Sequence, residues 1–174
     1  ETTANLTKNW RLTWNISTND LETADRYPQL HEFQARAKAE NKPTPLTDQF
    51  LASQPSGTPL PGFVKSRSNL VTNYTFGEGR LKGFTIGGGF QFRGRQFMGI
   101  FDRNRDGFAE QIYAPGYTLW NLQMGYSATL WKRRLQFNLN VFNVTDVDYY
   151  RVASLSSGSW GAGRTFRASV RTQF

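Results

Sequence analysis

RTFRASVRTQF, residues 164–174, alternates without a break. Phe166, Ala168, Val170, Thr172 and Phe174 fall on one side of an extended chain, and Thr165, Arg167, Ser169, Arg171 and Gln173 on the other. Successive side chains of a strand point to opposite faces, so this segment separates apolar groups from polar and charged ones. Such a strand divides two solvents of different polarity.

The same period of two recurs upstream. It predicts strands over about 9–18, 65–76, 84–97, 118–130, 135–145 and 164–174. The fourth is the cleanest: Trp120, Leu122, Met124, Tyr126, Ala128 and Leu130 oppose Asn121, Gln123, Gly125, Ser127 and Thr129. Trp10, Leu12, Trp14 and Ile16 carry the first, and Leu135, Phe137, Leu139 and Val141 the fifth. Val71 interrupts the second. Gly87-Gly88-Gly89 interrupts the third, where glycine suits a bend or a close backbone approach.

The connections alternate in length. Residues 77–83 and 131–134 make short turns, whereas 19–61, 98–116 and 146–163 are long. Short turns at one rim and long loops at the other mark an outer-membrane barrel. A structureless connection of about forty residues would count against a compact soluble domain. Within the first long loop Pro28, Leu30, Phe33 and Ala37 predict a short helix ended by Asn41-Lys42-Pro43, and 43–61 reads as irregular. The expected fold is all-β, an antiparallel up-and-down transmembrane barrel. Six strands do not close such a barrel, so the chain reads as its C-terminal portion, with Glu1–Lys8 finishing an earlier strand.

Composition agrees. The net charge is +8, only 38% of residues are hydrophobic, and 15% are aromatic, which is too aromatic for disorder. No apolar run reaches the roughly 18 residues of a membrane-spanning helix, but a spanning strand needs only about 9–11 residues, alternately apolar. No segment reads as a signal peptide. Cysteine is absent, which removes disulfides, thiolate metal sites and a cysteine nucleophile.

Several stretches carry a family resemblance. Asn138-Leu-Asn-Val-Phe-Asn-Val-Thr-Asp146 with Tyr149-Tyr150 resembles the penultimate strand of TonB-dependent receptors. Pro115-Gly116-Tyr117, the 81–95 stretch, Gly163-Arg164 and the terminal Phe174 are similar to that family too. The resemblance covers most of the chain from about Pro61. It implies a bacterial outer-membrane barrel of about 22 strands around a plug. It also implies active uptake of a small molecule, with a ferric siderophore as the expected ligand. The implied partners are outer-membrane lipid and lipopolysaccharide, the barrel-assembly machinery, and TonB through an N-terminal part and plug that this chain lacks. Phe174, with Val170 and Phe166 on the same face, would form the assembly signal. No cofactor is implied.

Candidate site residues follow from the faces. Arg93, Arg95, Arg164, Arg167 and Arg171 are assigned to the lumen, where a positive wall would attract anionic complexes. Their other reading is pairing with plug or barrel carboxylates. Trp120, Trp131, Tyr149, Tyr150 and Trp160 lie near strand ends and suit interfacial girdles; Tyr149, Tyr150 and Trp160 are also candidates for loop contacts with ligand. Asp102, Asn104 and Asp106 match the start of a calcium loop, but the twelfth position is Tyr113 and two arginines intervene, which favours a solvated turn. His31 is the one histidine and sits in a polar loop, and no nucleophile elbow exists, so no enzyme is expected.

Other classes share parts of this pattern. A passive porin or adhesin barrel has the same strands and differs in lacking a plug. A closed soluble barrel would also alternate. A basic β-domain for nucleic acid would put arginines and aromatics on one face; here they fall on opposite faces, so no nucleic-acid partner is expected.

Overall fold

The computed structural model describes residues 1–52, 56–104, 110–130 and 133–173. The first strands are β1 (Thr2–Thr7) and β2 (Trp10–Thr18), followed by helices α1 (Pro28–Ala39) and α2 (Pro45–Ala52). Then come β3 (Ser66–Thr75), β4 (Phe84–Arg93), β5 (Gln96–Phe101) and β6 (Glu110–Ala114). The chain continues with β7 (Tyr117–Leu130), β8 (Arg133–Phe142), β9 (Tyr150–Val152), β10 (Gly158–Trp160) and β11 (Thr165–Gln173). Seven strands form one sheet in the order β1-β2-β3-β4-β7-β8-β11, each antiparallel to its neighbour. The hairpins β5–β6 and β9–β10 and both helices belong to the long connections at one end. The sheet does not close: β1 and β11 each have one partner strand among the described residues.

Register turns the alternation of each strand into two continuous faces. Trp14, Leu70, Phe90 and Trp120 stand in one cross-strand row. Phe84, Tyr126, Phe137 and Val170 stand in another. The opposite face carries rows such as Arg11, Asn73, Gly87, Gln123, Asn140 and Arg167. β2, β3, β4, β8 and β11 are 9 or 10 residues long and β7 is 14, enough to cross hydrocarbon when tilted. Ile16 is 60% exposed, and Phe166 and Val170 are each 66% exposed, on the apolar face. A contiguous apolar face of this extent is far beyond what a soluble monomer leaves in water.

Two tryptophans solve a local problem on that face. An indole N–H in hydrocarbon needs an acceptor. Trp10 Nε1 donates to Thr72 Oγ1 at 2.8 Å, and Trp14 Nε1 to Ser68 Oγ at 2.9 Å. This accounts for two hydroxyl residues at positions the alternation reserves for apolar groups.

The glycine run is a close approach rather than a bend. β4 keeps unbroken register with β3 and β7 through Gly87, Gly88 and Gly89. Above Gly87, Gln123 Nε2 of β7 donates to Asn73 Oδ1 of β3, so two side chains meet across the strand between them. A Cβ on Gly87 would collide with Asn73 Oδ1 and lie 2.6 Å from the Thr72 carbonyl oxygen. Val71, the residue that interrupts the alternation of β3, stands opposite Gly89 on the polar face and is 48% exposed.

Three expectations need correction. The strand expected over 84–97 is two elements. β4 ends at Arg93, Gly94 N–H bonds the Ser66 carbonyl at 2.9 Å, and β5 pairs with β6 in a separate sheet. Gln96 and Phe97 are consecutive and both buried, 1% and 2% exposed, which a wall strand between two solvents does not allow. The strand expected to 145 stops at Phe142, because Asn143 takes a left-handed φ of 51°. The segment after Pro43 is not all irregular: Pro45 opens α2 and Thr44 closes its first turn, accepting from Asp48 N–H at 2.8 Å. Asp48 then ties α2 to α1, accepting from Gln34 and pairing with Lys38 at 3.3 Å.

Gly87→Leu is expected to destabilise the folded barrel by about 1–3 kcal/mol through overpacking. The check is the urea midpoint of the complete protein refolded into lipid; an unchanged midpoint would mean the wall has room at Gly87.

Candidate functional site

Polar-face positions bring three arginines together at the long-loop end of the wall. Ser17, Arg67, Arg93 and Tyr117 form one cross-strand row. Arg67 and Arg93 are directly opposed. Like charges in that arrangement repel, and among the described residues no carboxylate pairs with either. Beside them a cleft of about 390 Å³ is lined by Arg67, Asn69, Gln91, Arg93, Tyr117, Tyr149 and Arg151, among others.

The third arginine arrives from β9. Arg151 Nη2 donates to the Tyr149 hydroxyl at 2.9 Å, and its guanidinium lies 5.4 Å from the Tyr149 ring centre. The hydrogen bond to the Tyr149 hydroxyl raises Arg151 above its ordinary value. Tyr149 is itself buried, packed at a tilt against Tyr117 with centroids 4.5 Å apart. A Cβ on Gly161 would run into the Tyr149 ring, so glycine there is what lets the tyrosine lie down.

Two buried amides hold this arrangement. Gln96 Nε2 donates to the Tyr150 carbonyl at 2.7 Å, and its Oε1 accepts from Val152 N–H at 3.3 Å, which fixes β9 against β5. Asn143 Nδ2 donates to the carbonyls of Val147 at 2.9 Å and Ala162 at 3.2 Å, while its Oδ1 accepts from Val147 N–H at 3.0 Å. Asp146 then accepts from Arg164 N–H at 2.6 Å. The Asn-Val-Thr-Asp segment is therefore a clasp that closes the last long loop onto the sheet.

The expected arginines separate in space. Arg93 lies in the cleft. Arg167 and Arg171 stand on the polar face, opposite Asn140 and Gln136, and Arg167 lies over the Phe142 ring at 5.6 Å. Arg95 does not share the wall: it follows the end of β4 and stacks over Tyr113 at 5.1 Å. There it lines a loop cavity of about 480 Å³ with Asp20, Glu22 and Lys65. Lys65 pairs with Asp20 at 2.6 Å, and that bond raises Lys65 above its ordinary value. Arg164 precedes β11 and has the parity of Phe166, so it is no member of the polar row. Tyr149 packs on the polar side of the wall, away from any lipid girdle. Tyr150 and Trp160 meet edge to face at 5.4 Å, with Trp160 73% exposed on β10, and Trp120 stands on the apolar face beside Phe90 at 5.2 Å. Phe166 and Val170 share the apolar face of β11.

Trp131, Asp106 and Phe174 lie outside the described residues. Among those described, no group of three acidic or histidine side chains gathers to hold a metal ion. His31 Nε2 sits 3.4 Å from Asp25, both half-exposed, at the start of α1. Reading the sequence missed Arg67, Arg151, Tyr117, Gln96 and Asn143. Arg67 shares parity with Asn69, a signal for its face; nothing in the pattern signals the approach of Arg151.

An antiparallel, two-faced sheet of spanning strands with short turns at one rim is a section of wall from an up-and-down transmembrane β-barrel. More narrowly, the chain belongs to the TonB-dependent receptor-like β-barrel family, whose sequence profile matches residues 1–144. Comparison with curated proteins gives no match. Among solved structures, a chain of the FpvAI–pyocin S2 complex superposes with a TM-score of 0.62 at 20% identity, over 97% of this chain and 17% of that one. The complex of P. aeruginosa FpvA with a heterologous ferric pyoverdine gives 0.58 at 20%, over 97% and 18%. At that identity the likeness concerns the fold alone. The chain spans less than a fifth of the length of either.

Asn143→Ala is expected to leave buried carbonyls unpaired and weaken the clasp by about 2 kcal/mol or more. In the complete protein this should appear as faster protease cleavage within 144–163, with cleavage in 19–61 unchanged.

Proposed function

We propose that this chain is part of an outer-membrane receptor that imports a nutrient actively through TonB, and that the nutrient is an anionic ferric siderophore. The observation that carries this reading is the cleft of Arg67, Arg93 and Arg151. Two opposed, unpaired guanidiniums repel each other until an anion enters. An anionic ligand relieves that repulsion, and guanidiniums take planar oxyanions in bidentate fashion. A positive cleft at the long-loop end also raises the local concentration of an anionic ligand before contact. Tyr117, held in place by the buried Tyr149, supplies an aromatic wall for the organic part of such a ligand. Arg167 and Arg171, further along the wall, would continue the positive path or face carboxylates of a plug. Trp160 and Tyr150 stand on the neighbouring hairpin as first contacts from outside. TonB would act through a plug outside this chain, and Phe166 and Val170 would present the apolar side of β11 to the assembly machinery. The pyoverdine bound in the FpvA structure makes a ferric pyoverdine the first probe to try.

The test uses the complete receptor and a radio-iron-loaded pyoverdine. Arg67→Ala with Arg93→Ala is expected to weaken binding by about tenfold or more, since two charge-assisted contacts are lost. Arg95→Ala, outside the cleft, should change affinity little. Unchanged affinity in the double variant for every anionic siderophore tried would defeat the ligand assignment. Uptake that persists without TonB would instead favour a passive porin.

A further inference from the structure

The carboxylates of this chain are sorted by height as well as by face, while cations occur at both ends. The long connection between β2 and β3 holds Asp20, Glu22, Asp25, Glu32, Glu40 and Asp48. The short connections at the other end are basic, with Glu78 their one acidic residue. Glu78 is occupied by Lys8, 3.4 Å away. Arg80, Lys82, Arg133 and Arg134 are all exposed there. Among the described residues no carboxylate pairs with Arg80, Lys82 or Arg134.

These cations sit where the apolar face ends. Arg80 and Lys82 lie in the turn between Phe76 and Phe84, whose rings are 5.9 Å apart. Arg133 and Arg134 immediately precede Leu135, Arg134 with the parity of Gln136 and so on the polar face. Just above, Phe84, Tyr126 and Phe137 make an unbroken cross-strand row of rings, and Tyr74 packs edge-on against Phe76 at 4.9 Å. Such a row marks the level at which hydrocarbon meets headgroups. The cations therefore stand at headgroup level. Next to them the apolar face is hollowed into a groove of about 550 Å³, lined by Phe84, Met124, Tyr126, Phe137, Leu139 and Val170.

We propose that this rim and groove form a binding site for an anionic phospholipid of the inner, periplasmic-facing leaflet, with phosphatidylglycerol as the occupant. The phosphate meets Arg80 and Lys82, and an acyl chain lies in the groove. A guanidinium and an ammonium beside one another suit a phosphate diester, and a zwitterionic lipid gives back part of that attraction through its own ammonium. The apolar groove selects lipid over a free phosphate, which has nothing to place there. The site is independent of the ligand that the receptor carries.

The complete receptor is reconstituted in an equal mixture of phosphatidylethanolamine and phosphatidylglycerol, and the lipid kept through delipidation is measured by native mass spectrometry. The wild type should keep phosphatidylglycerol in preference, and added salt should erase the preference by screening. Arg80→Gln with Lys82→Gln should lower the preference about tenfold, whereas Arg134→Gln, on the polar face, should leave it unchanged. Arg103→Gln, in a long loop, should leave it unchanged. If the double variant does not assemble, Lys82→Gln alone carries the test and should shift the preference in the same direction. Equal retention of both lipids by the wild type, or an undiminished preference in the Arg80 and Lys82 variants, overturns the proposal. So does competition by glycerophosphoglycerol, which has no acyl chain, because that outcome indicates a bare phosphate site.

Discussion

The unbroken antiparallel ladder from β2 to β11 is the constraint on which everything else in this chain depends. Hydrocarbon offers no hydrogen-bond partner, so a strand crossing it must satisfy its N–H and C=O groups on its neighbours. The registers of β2 with β3, β3 with β4, β4 with β7, β7 with β8 and β8 with β11 run without a bulge. The one irregularity in the wall lies in β1–β2, at the short-turn end. Given that ladder, the side chains are free to answer to two solvents. The consequence is an inversion of ordinary packing. Val64, Gln96, Phe97, Ala114 and Tyr149, among the most buried residues, belong to the long connections or hairpins at the outer end or lie beside them. The wall is held by backbone and by lipid, and the loop layer by conventional burial.

The two layers are joined at few points, and those points determine the site. β9 can bring Arg151 over the polar wall only because Gln96 holds its backbone and Asn143 fixes the turn from which it emerges. The wall itself supplies Arg67 and Arg93 but leaves them in mutual repulsion. Charge, like polarity, follows position: carboxylates crowd the long loops, while strands and short turns are basic. The net charge of +8 is thus an attribute of two particular surfaces rather than of the whole molecule.

The faces of the sheet were legible in the sequence because lipid on one side and polar surroundings on the other impose strict alternation. Register was not. A slip of two residues between β3 and β4 would preserve both faces yet separate Arg67 from Arg93. The actual offset is set where the turn closes, with Phe76 N–H on the Phe84 carbonyl at 2.8 Å and Gly83 N–H on the Phe76 carbonyl at 2.9 Å. Arg95 was assigned to the wall because the period was carried past Gly94; the consecutive burial of Gln96 and Phe97 is a tertiary fact with no local signature. Arg151 and Asn143 act through long-range contacts of irregular chain, where no period exists to be read. The helix at 28–39 was legible from its proline and spacing, whereas α2 was obscured by the prolines around it.

Trp10 and Trp14 carry their own hydrogen-bond acceptors in Thr72 and Ser68. Interfacial tryptophans elsewhere depend on water or headgroups for that bond, and so resist displacement when the bilayer thins or thickens. Here the partner travels with the ring. Neither indole therefore needs water or a headgroup at its own depth, and the two rings set no fixed level for this part of the wall.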